Sequence, residues 1–170
     1  MKILNSTTHD IDTIFDLYEK ARNLQRIKWI DNLWPEFEVA MIETEIENNQ
    51  QWKLLIDGQI ACIWVTAFSD PKIWEERDID PSVYIHRIAT SPDFRGRNLV
   101  QTIVNWAANY AKSNEKHFVR LDTCGHNQGL INYYQKCGFK FLGIWKLKDT
   151  QGLPSHYVDS DVCFFEIDLR

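Results

Sequence analysis

One segment of the chain carries an asparagine and a tyrosine seven residues apart, Asn127 and Tyr134, inside a helical pattern that ends at Gly138. Seven residues are nearly two turns of an α-helix, so the two side chains lie on one face of it. An amide and a phenol can therefore contact the same ligand. Two plainer interpretations stay open, namely that Asn127 only caps the helix and that Tyr134 only packs in the core.

A second segment, residues 88–100, runs from a predicted strand into the clearest helix of the chain. The first amide groups of a helix lack partners within it, and the helix dipole adds partial positive charge there. Such a turn can hold a pyrophosphate largely by its backbone. Arg95 and Arg97 add positive charge. An ordinary helix start with two exposed arginines is the alternative.

Both segments resemble motifs of the GNAT superfamily of N-acetyltransferases. The turn resembles the signature Arg/Gln-x-x-Gly-x-Gly/Ala, with Arg95 at the first position and Asn98 and Val100 in place of the two small residues. The second segment is similar to the family's Asn that precedes Tyr by seven residues, followed by Tyr-x-Lys-x-Gly-Phe. Every position of that motif matches: Asn127, Tyr134, Lys136, Gly138 and Phe139.

The resemblance implies acetyl-CoA as cofactor and direct transfer of its acetyl group to a primary amine in a ternary complex. Tyr134 would donate a proton to the departing thiolate, and a backbone N–H near Ala89 would stabilise the oxyanion. Pantetheine would pair with the backbone near Ile88 and Thr90. No metal is expected. The implied cofactor-binding residues are Ile88, Ala89, Thr90, Arg95, Gly96, Arg97, Asn98, Leu99, Val100 and Asn127.

His86 is the best candidate for the general base that must deprotonate the amine, because an alkyl ammonium has a pKa of about 10.4. Alternation along residues 83–90 places Tyr84, His86 and Ile88 on one face of a strand. Histidine titrates in the useful range, although a structural role on the strand is an equal alternative. A covalent route through Cys124 is a further alternative, but nothing nearby in sequence marks a low-pKa thiol.

The acceptor pocket of the family is walled by the link between the first two helices and by the loop before the last strand. Here these are residues 28–35 and 150–157, the latter with His156. An aromatic and acidic lining would suit a cationic amine. We favour a small-molecule amine over a protein N-terminus or lysine, and a non-catalytic acyl-CoA-binding or sensor module is the rival of another class. The predicted lining residues are Trp29, Trp34, Glu36, Tyr84 and Tyr157, with Glu38 beside them.

Composition limits the partners. The net charge of -5, without a cluster of basic residues, argues against nucleic acid. No signal peptide or apolar run of membrane-spanning length is visible, and four scattered cysteines fit a reducing compartment, so we expect a cytoplasmic protein that does not bind membranes. A homodimer is left open.

The elements that must position these residues follow from periodicity and turn residues. Helices are predicted over about 8–24, 36–48, 97–112 and 127–137, and strands over 52–56, 59–68, 83–90, 118–123, 139–146 and 157–169. Asp57-Gly58 predicts a tight hairpin turn. Residues 1–170 are expected to form a single domain. The resemblance implies an α/β (α+β) fold with a mixed, mostly antiparallel sheet of six to seven strands and about four flanking helices.

Overall fold

The computed structural model describes residues 1–28 and 32–170. Contacts divide the chain into two compact units. The first unit comprises residues 1–66 and 86–99, and the second comprises residues 67–85 and 100–170. The single domain expected from the sequence stays a prediction.

The first unit holds three strands and two helices: β1 (Lys2–Asn5), α1 (Ile11–Lys28), α2 (Val39–Glu47), β2 (Gln51–Ile56) and β3 (Gln59–Ala67). Both β1 and β3 pair antiparallel with β2. Asp57 and Gly58 have φ angles of 50° and 79°, as a tight hairpin turn requires. One face of each helix packs into an apolar cluster built on Ile14, Tyr18, Ile42 and Ile63.

The second unit begins with a short helix, α3 (Pro71–Trp74), before β4 (Ser82–Thr90), whose first half belongs to this unit. It continues with α4 (Leu99–Ser113), β5 (Phe118–Cys124), α5 (Gln128–Lys136), β6 (Lys140–Trp145) and β7 (Val162–Asp168). β4 and β5 are parallel, and β7 pairs antiparallel with β5 and β6. The strand order is β1-β2-β3-β4-β5-β7-β6. The predicted mixed, mostly antiparallel sheet of six to seven strands is confirmed, with seven strands present.

Several predicted bounds were wrong. β1 was missed, because a strand of four residues carries little pattern of its own and depends on its pairing with β2. β7 begins at Val162, and Tyr157 ends a 3₁₀ turn instead of starting a strand. In the acidic run 75–80, Glu75 pairs with Lys148 and Asp80 with the buried Arg120.

The four cysteines carry free thiols. Among the described residues no helix has both the length and the apolar character needed to cross a membrane.

Candidate functional site

The predicted phosphate turn lies immediately before α4. Its exposed residues are Arg95 to Asn98, and the helix begins at Leu99. Gly96 and Asn98 both have positive φ angles, 78° and 54°. Asparagine tolerates this left-handed conformation better than most residues, so Asn98 keeps a turn that the family builds with a small residue. A Cβ atom at Gly96 would have no neighbour within 4 Å, so the turn is open there.

Val100, the second departure from the family signature, has a buried side chain. The neighbouring Leu99 is buried as well. The bulk of both side chains therefore does not occupy the exposed side of the turn. Of the two arginines, Arg97 places its guanidinium 5.2 Å from the centre of the Phe94 ring, and Arg95 is exposed.

The second half of β4 carries the residues predicted to contact the thioester. The period-two alternation predicted for this strand is interrupted, because Arg87 has a left-handed φ of 51°. The Arg87 guanidinium donates to the Glu45 carboxylate of α2. Beyond it, Ala89 packs into the apolar cluster of the first unit, and Thr90 lies with its hydroxyl 3.3 Å from the Cys62 thiol. Burial raises the pKa of that thiol to about 12.

His86, the predicted base, precedes Arg87 in this strand. Burial, with a smaller contribution from the Arg87 charge, lowers the pKa of His86 to about 4. The imidazole is therefore neutral at pH 7 and able to accept a proton, although it is a weaker base than an exposed histidine.

Asn127 caps α5 as predicted. Its Oδ1 accepts a hydrogen bond of 3.0 Å from the backbone N–H of Leu130. The other amide atom, Nδ2, is buried and finds no hydrogen-bond partner in the part of the chain that the structure describes. A buried donor without a partner is costly, so this atom is suited to a ligand's acceptor.

Tyr134 lies in α5 and is 9% exposed. Its ring centre is 5.2 Å from that of Phe165 and 5.9 Å from that of Phe139. Tyr133, its neighbour in sequence, is 37% exposed. Aromatic contacts with Phe139 and Phe165 therefore hold the Tyr134 ring, and Tyr133 is more open to solvent.

The predicted acceptor residues have diverse environments. In the first unit, Trp34 packs edge-on against Tyr18, while the side chain of Glu36 is 87% exposed and lies 3.5 Å from Arg22. Trp29 lies outside the described residues. In the second unit, Tyr84 is fully buried in an apolar cluster beside Trp74, so its position does not support contact with an acceptor. Its hydroxyl accepts from Arg120.

Tyr157, also predicted for the acceptor pocket, donates a hydrogen bond of 2.7 Å to Asp122 of β5. Asp122 was missed in the sequence, because nothing near it marks it as functional. One of its carboxylate oxygens lies within 4.8 Å of an oxygen of Asp70. Burial raises the pKa of Asp122 to about 6, and burial together with the charges of Asp122 and Asp78 raises that of Asp70 to about 8.

Cys124 follows Asp122 closely in β5. Burial and the charge of Asp122 raise the pKa of its thiol far above the ordinary value. Since the thiolate is the nucleophilic form, a covalent route through Cys124 is disfavoured.

Two curated relatives match the sequence. An uncharacterized N-acetyltransferase of Methanocaldococcus jannaschii is 26% identical over 145 residues, which are 81% of this chain and 60% of the relative. The uncharacterized N-acetyltransferase YesJ of Bacillus subtilis is 31% identical over 74 residues, 44% of this chain and 41% of the relative. The chain thus spans less than two thirds of the length of either relative.

Solved structures share the fold. An acetyltransferase of the GNAT family from Listeria monocytogenes has a TM-score of 0.76 at 23% identity, with 99% of this chain and 94% of that chain covered. The acetyltransferase yncA from Salmonella typhimurium, solved with its cofactor acetyl-CoA, has a TM-score of 0.69 at 14% identity and covers the same shares. The sequence profile of the Acetyltransferase (GNAT) family matches residues 24–139. The resemblance predicted from the two motifs is therefore confirmed, and the chain belongs to the Acetyltransferase (GNAT) family.

Proposed function

We propose that this protein is an acetyl-CoA-dependent N-acetyltransferase that acts on the primary amine of a small molecule. The observation that carries the proposal is the exposed turn before α4. Its two left-handed residues, Gly96 and Asn98, leave the start of a 15-residue helix accessible. Family membership and the acetyl-CoA-bound relative support the same cofactor.

The residues present fit that cofactor. The turn offers backbone N–H groups and the helix dipole to a pyrophosphate, and the side chains of Arg95 and Arg97 are exposed beside them. The Nδ2 atom of Asn127 offers a buried donor. When bound, acetyl-CoA supplies an activated thioester. The backbone N–H near Ala89 is the proposed donor to the developing oxyanion, a role that a fixed donor performs at little reorganisation cost.

Proton transfers fall to two side chains in this proposal. His86 is the proposed base for the acceptor ammonium, directly or through a water; its imidazole is neutral at pH 7, but a pKa of about 4 makes it a weak base. The phenol of Tyr134 would give its proton to the departing thiolate, and its ring packs against Phe139 and Phe165. Proton transfer by a positioned side chain contributes about 10²- to 10⁴-fold in rate.

The acceptor is proposed to be a small cationic amine. Trp34 and the exposed carboxylate of Glu36 lie in the link between the first two helices, where an aromatic and acidic lining favours an ammonium group. The fully buried Tyr84 is removed from this lining. A cytoplasmic location stays a prediction.

The rival is a non-catalytic module that binds acyl-CoA weakly or not at all. This alternative arises because two positions of the signature are altered, Asn98 and Val100. The left-handed conformation of Asn98 and the buried side chain of Val100 argue against this alternative, because neither residue obstructs the exposed turn.

Calorimetric titration of the purified protein with acetyl-CoA tests the proposal, followed by a screen of small amines for thiol release on the same sample. Micromolar binding with turnover on one class of amine is the expected result. Binding without turnover on any amine or peptide acceptor would support the module, and absence of binding would refute the proposed cofactor.

A further inference from the structure

Arg87 adopts a left-handed backbone conformation inside a strand, with φ at 51°. Other non-glycine residues with positive φ in the described ranges lie at turns or at the ends of elements, such as Asp57 in the hairpin turn. This conformation is unfavourable for a residue with a long side chain, and it persists only where the surroundings hold it. The contacts of the side chain must therefore compensate for the backbone.

Those contacts come from both helices of the first unit and from the segment that links them. The Arg87 guanidinium is ion-paired with Glu45 of α2, and its centre lies 4.9 Å from that of the Phe37 ring and 5.6 Å from that of the Tyr18 ring of α1. The side chains of Arg87 and Glu45 are only 13% and 15% exposed. Burial favours the neutral form and raises the pKa of Glu45, while the charge of Arg87 opposes that rise. The pair is thus a desolvated anchor with little screening by solvent.

We infer that Arg87 is a positioning residue for acyl transfer: its anchorage to Glu45, Phe37 and Tyr18 fixes the backbone of the next residues, Ile88 and Ala89. This inference rests on the proposed function, which assigns pantetheine pairing to Ile88 and the oxyanion donor to the N–H near Ala89. A left-handed residue directly before them bends the strand locally, so a change at residue 87 re-aims both N–H groups. Arg87 itself touches no reacting group in this mechanism.

A merely structural ion pair is the competing explanation, and the same unit offers a matched control for it. Lys53 of β2 pairs with Asp10 at 2.5 Å, and both side chains are 13% exposed. Substitution of Lys53 removes an ion pair that is about as buried as the pair of Arg87 with Glu45. Its two residues lie far from β4 in the sequence. The kcat values of Arg87→Ala and Lys53→Ala are therefore compared, and the loss of thermal stability is measured in each variant.

Glycine at position 87 separates conformation from charge. Arg87→Gly loses the ion pair as completely as Arg87→Ala, but glycine adopts positive φ without steric cost. We expect kcat to fall at least about tenfold in Arg87→Ala, with the KM for acetyl-CoA changed less than about threefold, and to recover in part in Arg87→Gly. Lys53→Ala should keep kcat within about twofold. A wild-type kcat in Arg87→Ala, or an equal loss in Lys53→Ala, would overturn the inference.

Amide hydrogen exchange tests the anchor without requiring catalytic turnover. The backbone N–H of Ser91 donates to the carbonyl of Ala61 at 2.9 Å, so a peptide covering residues 86–91 contains at least one protected amide. Exchange of this peptide should accelerate in Arg87→Ala and in the milder Glu45→Gln, and stay unchanged in Lys53→Ala. Unaltered exchange in both Arg87→Ala and Glu45→Gln refutes the anchor. If exchange accelerates in both variants but the wild type binds acetyl-CoA and acetylates nothing, only the proposed function is refuted.

Discussion

The amide of Asn127 is divided between two tasks: its Oδ1 accepts from the backbone N–H of Leu130 at 3.0 Å, and its Nδ2 is buried with no hydrogen-bond partner in the described chain. An N-cap needs only the acceptor atom. The donor atom is therefore surplus to helix capping, and a ligand would explain why an amide stands at this position.

This division predicts different outcomes for two substitutions. Asn127→Ala removes both atoms and should lower the free energy of unfolding by about 1 kcal/mol through the lost cap, as well as weaken CoA binding. Asn127→Ser keeps a capping oxygen and loses the amide donor, so it should retain stability and still weaken CoA binding. Thermal unfolding and calorimetry measure the two effects. Full CoA affinity in Asn127→Ser would confine Asn127 to capping.

Tyr134→Phe tests the proposed proton donor. The substitution keeps the ring and its contacts with Phe139 and Phe165, so the fold should be unaffected. We expect kcat to fall roughly 10²-fold, with acetyl-CoA affinity nearly unchanged, because only the proton transfer is lost. Tyr133→Phe, one residue away on the same helix, is the matched control and should leave steady-state kinetics unaltered. Full activity in Tyr134→Phe would exclude its phenol from the mechanism.

The proposed base has a characteristic pH dependence. Because burial lowers the pKa of His86 to about 4, the imidazole stays neutral over the range in which an ordinary histidine becomes charged. The acid limb of kcat/KM should therefore fall near pH 4 instead of near 6.5. His86→Gln should lower kcat/KM at pH 7 by about 10²-fold and remove this limb. Coincident profiles of wild type and variant, measured where both are folded, would exclude His86 as the base.

Local patterns in the sequence were enough for much of the fold. The hairpin at Asp57 followed from turn residues that accept positive φ, and α4 and α5 followed from helical spacing of apolar residues. Their bounds shifted by one or two residues. In these elements, the information that decides the structure lies within a few positions of the chain.

The features that the sequence did not reveal depend on partners far along the chain. β1 forms through its pairing with β2, where Lys2 opposes Leu55. The left-handed conformation of Arg87 is held by Glu45, 42 positions earlier. Asp122 stands out only through its neighbours, because Tyr157 donates a hydrogen bond to it and its charge raises the pKa of Asp70. No pattern of spacing encodes such contacts.

The turn before α4 gives a prediction on Asn98. Asn98→Gly should preserve the turn and CoA affinity, because glycine adopts its φ of 54° freely. Asn98→Ala forces a less tolerant residue into the left-handed region at a cost of about 1 kcal/mol, which corresponds to about a fivefold weaker Kd for CoA if the turn opens. Calorimetry with CoA measures this.

Val100→Ala is the control for the same turn. It trims a buried side chain and should lower thermal stability without changing the Kd for CoA. Equal affinity in Asn98→Ala and Asn98→Gly would show that the left-handed conformation does not matter for the cofactor.

The buried carboxyl of Asp122 predicts how stability depends on pH. Burial raises its pKa to about 6 in the folded protein, whereas an unfolded aspartate has a pKa of about 3.9. Between pH 4 and 6 the folded form holds more protons than the unfolded one, so the contribution of Asp122 to stability falls as pH rises and is constant above pH 6. Asn at this position keeps an oxygen that can accept from Tyr157 and carries no charge.

Asp122→Asn should therefore gain stability relative to wild type as pH rises from 4 to 6, by up to about 2–3 kcal/mol. The ionised Asp122 also raises the pKa of Asp70, so the substitution should lower that pKa from about 8. Denaturant unfolding of both proteins at several pH values gives the difference directly. Asp16→Asn, on the exposed face of α1, is the control and should show no comparable trend. A difference between Asp122→Asn and wild type that is constant across this range would mean that folding does not raise the pKa of Asp122.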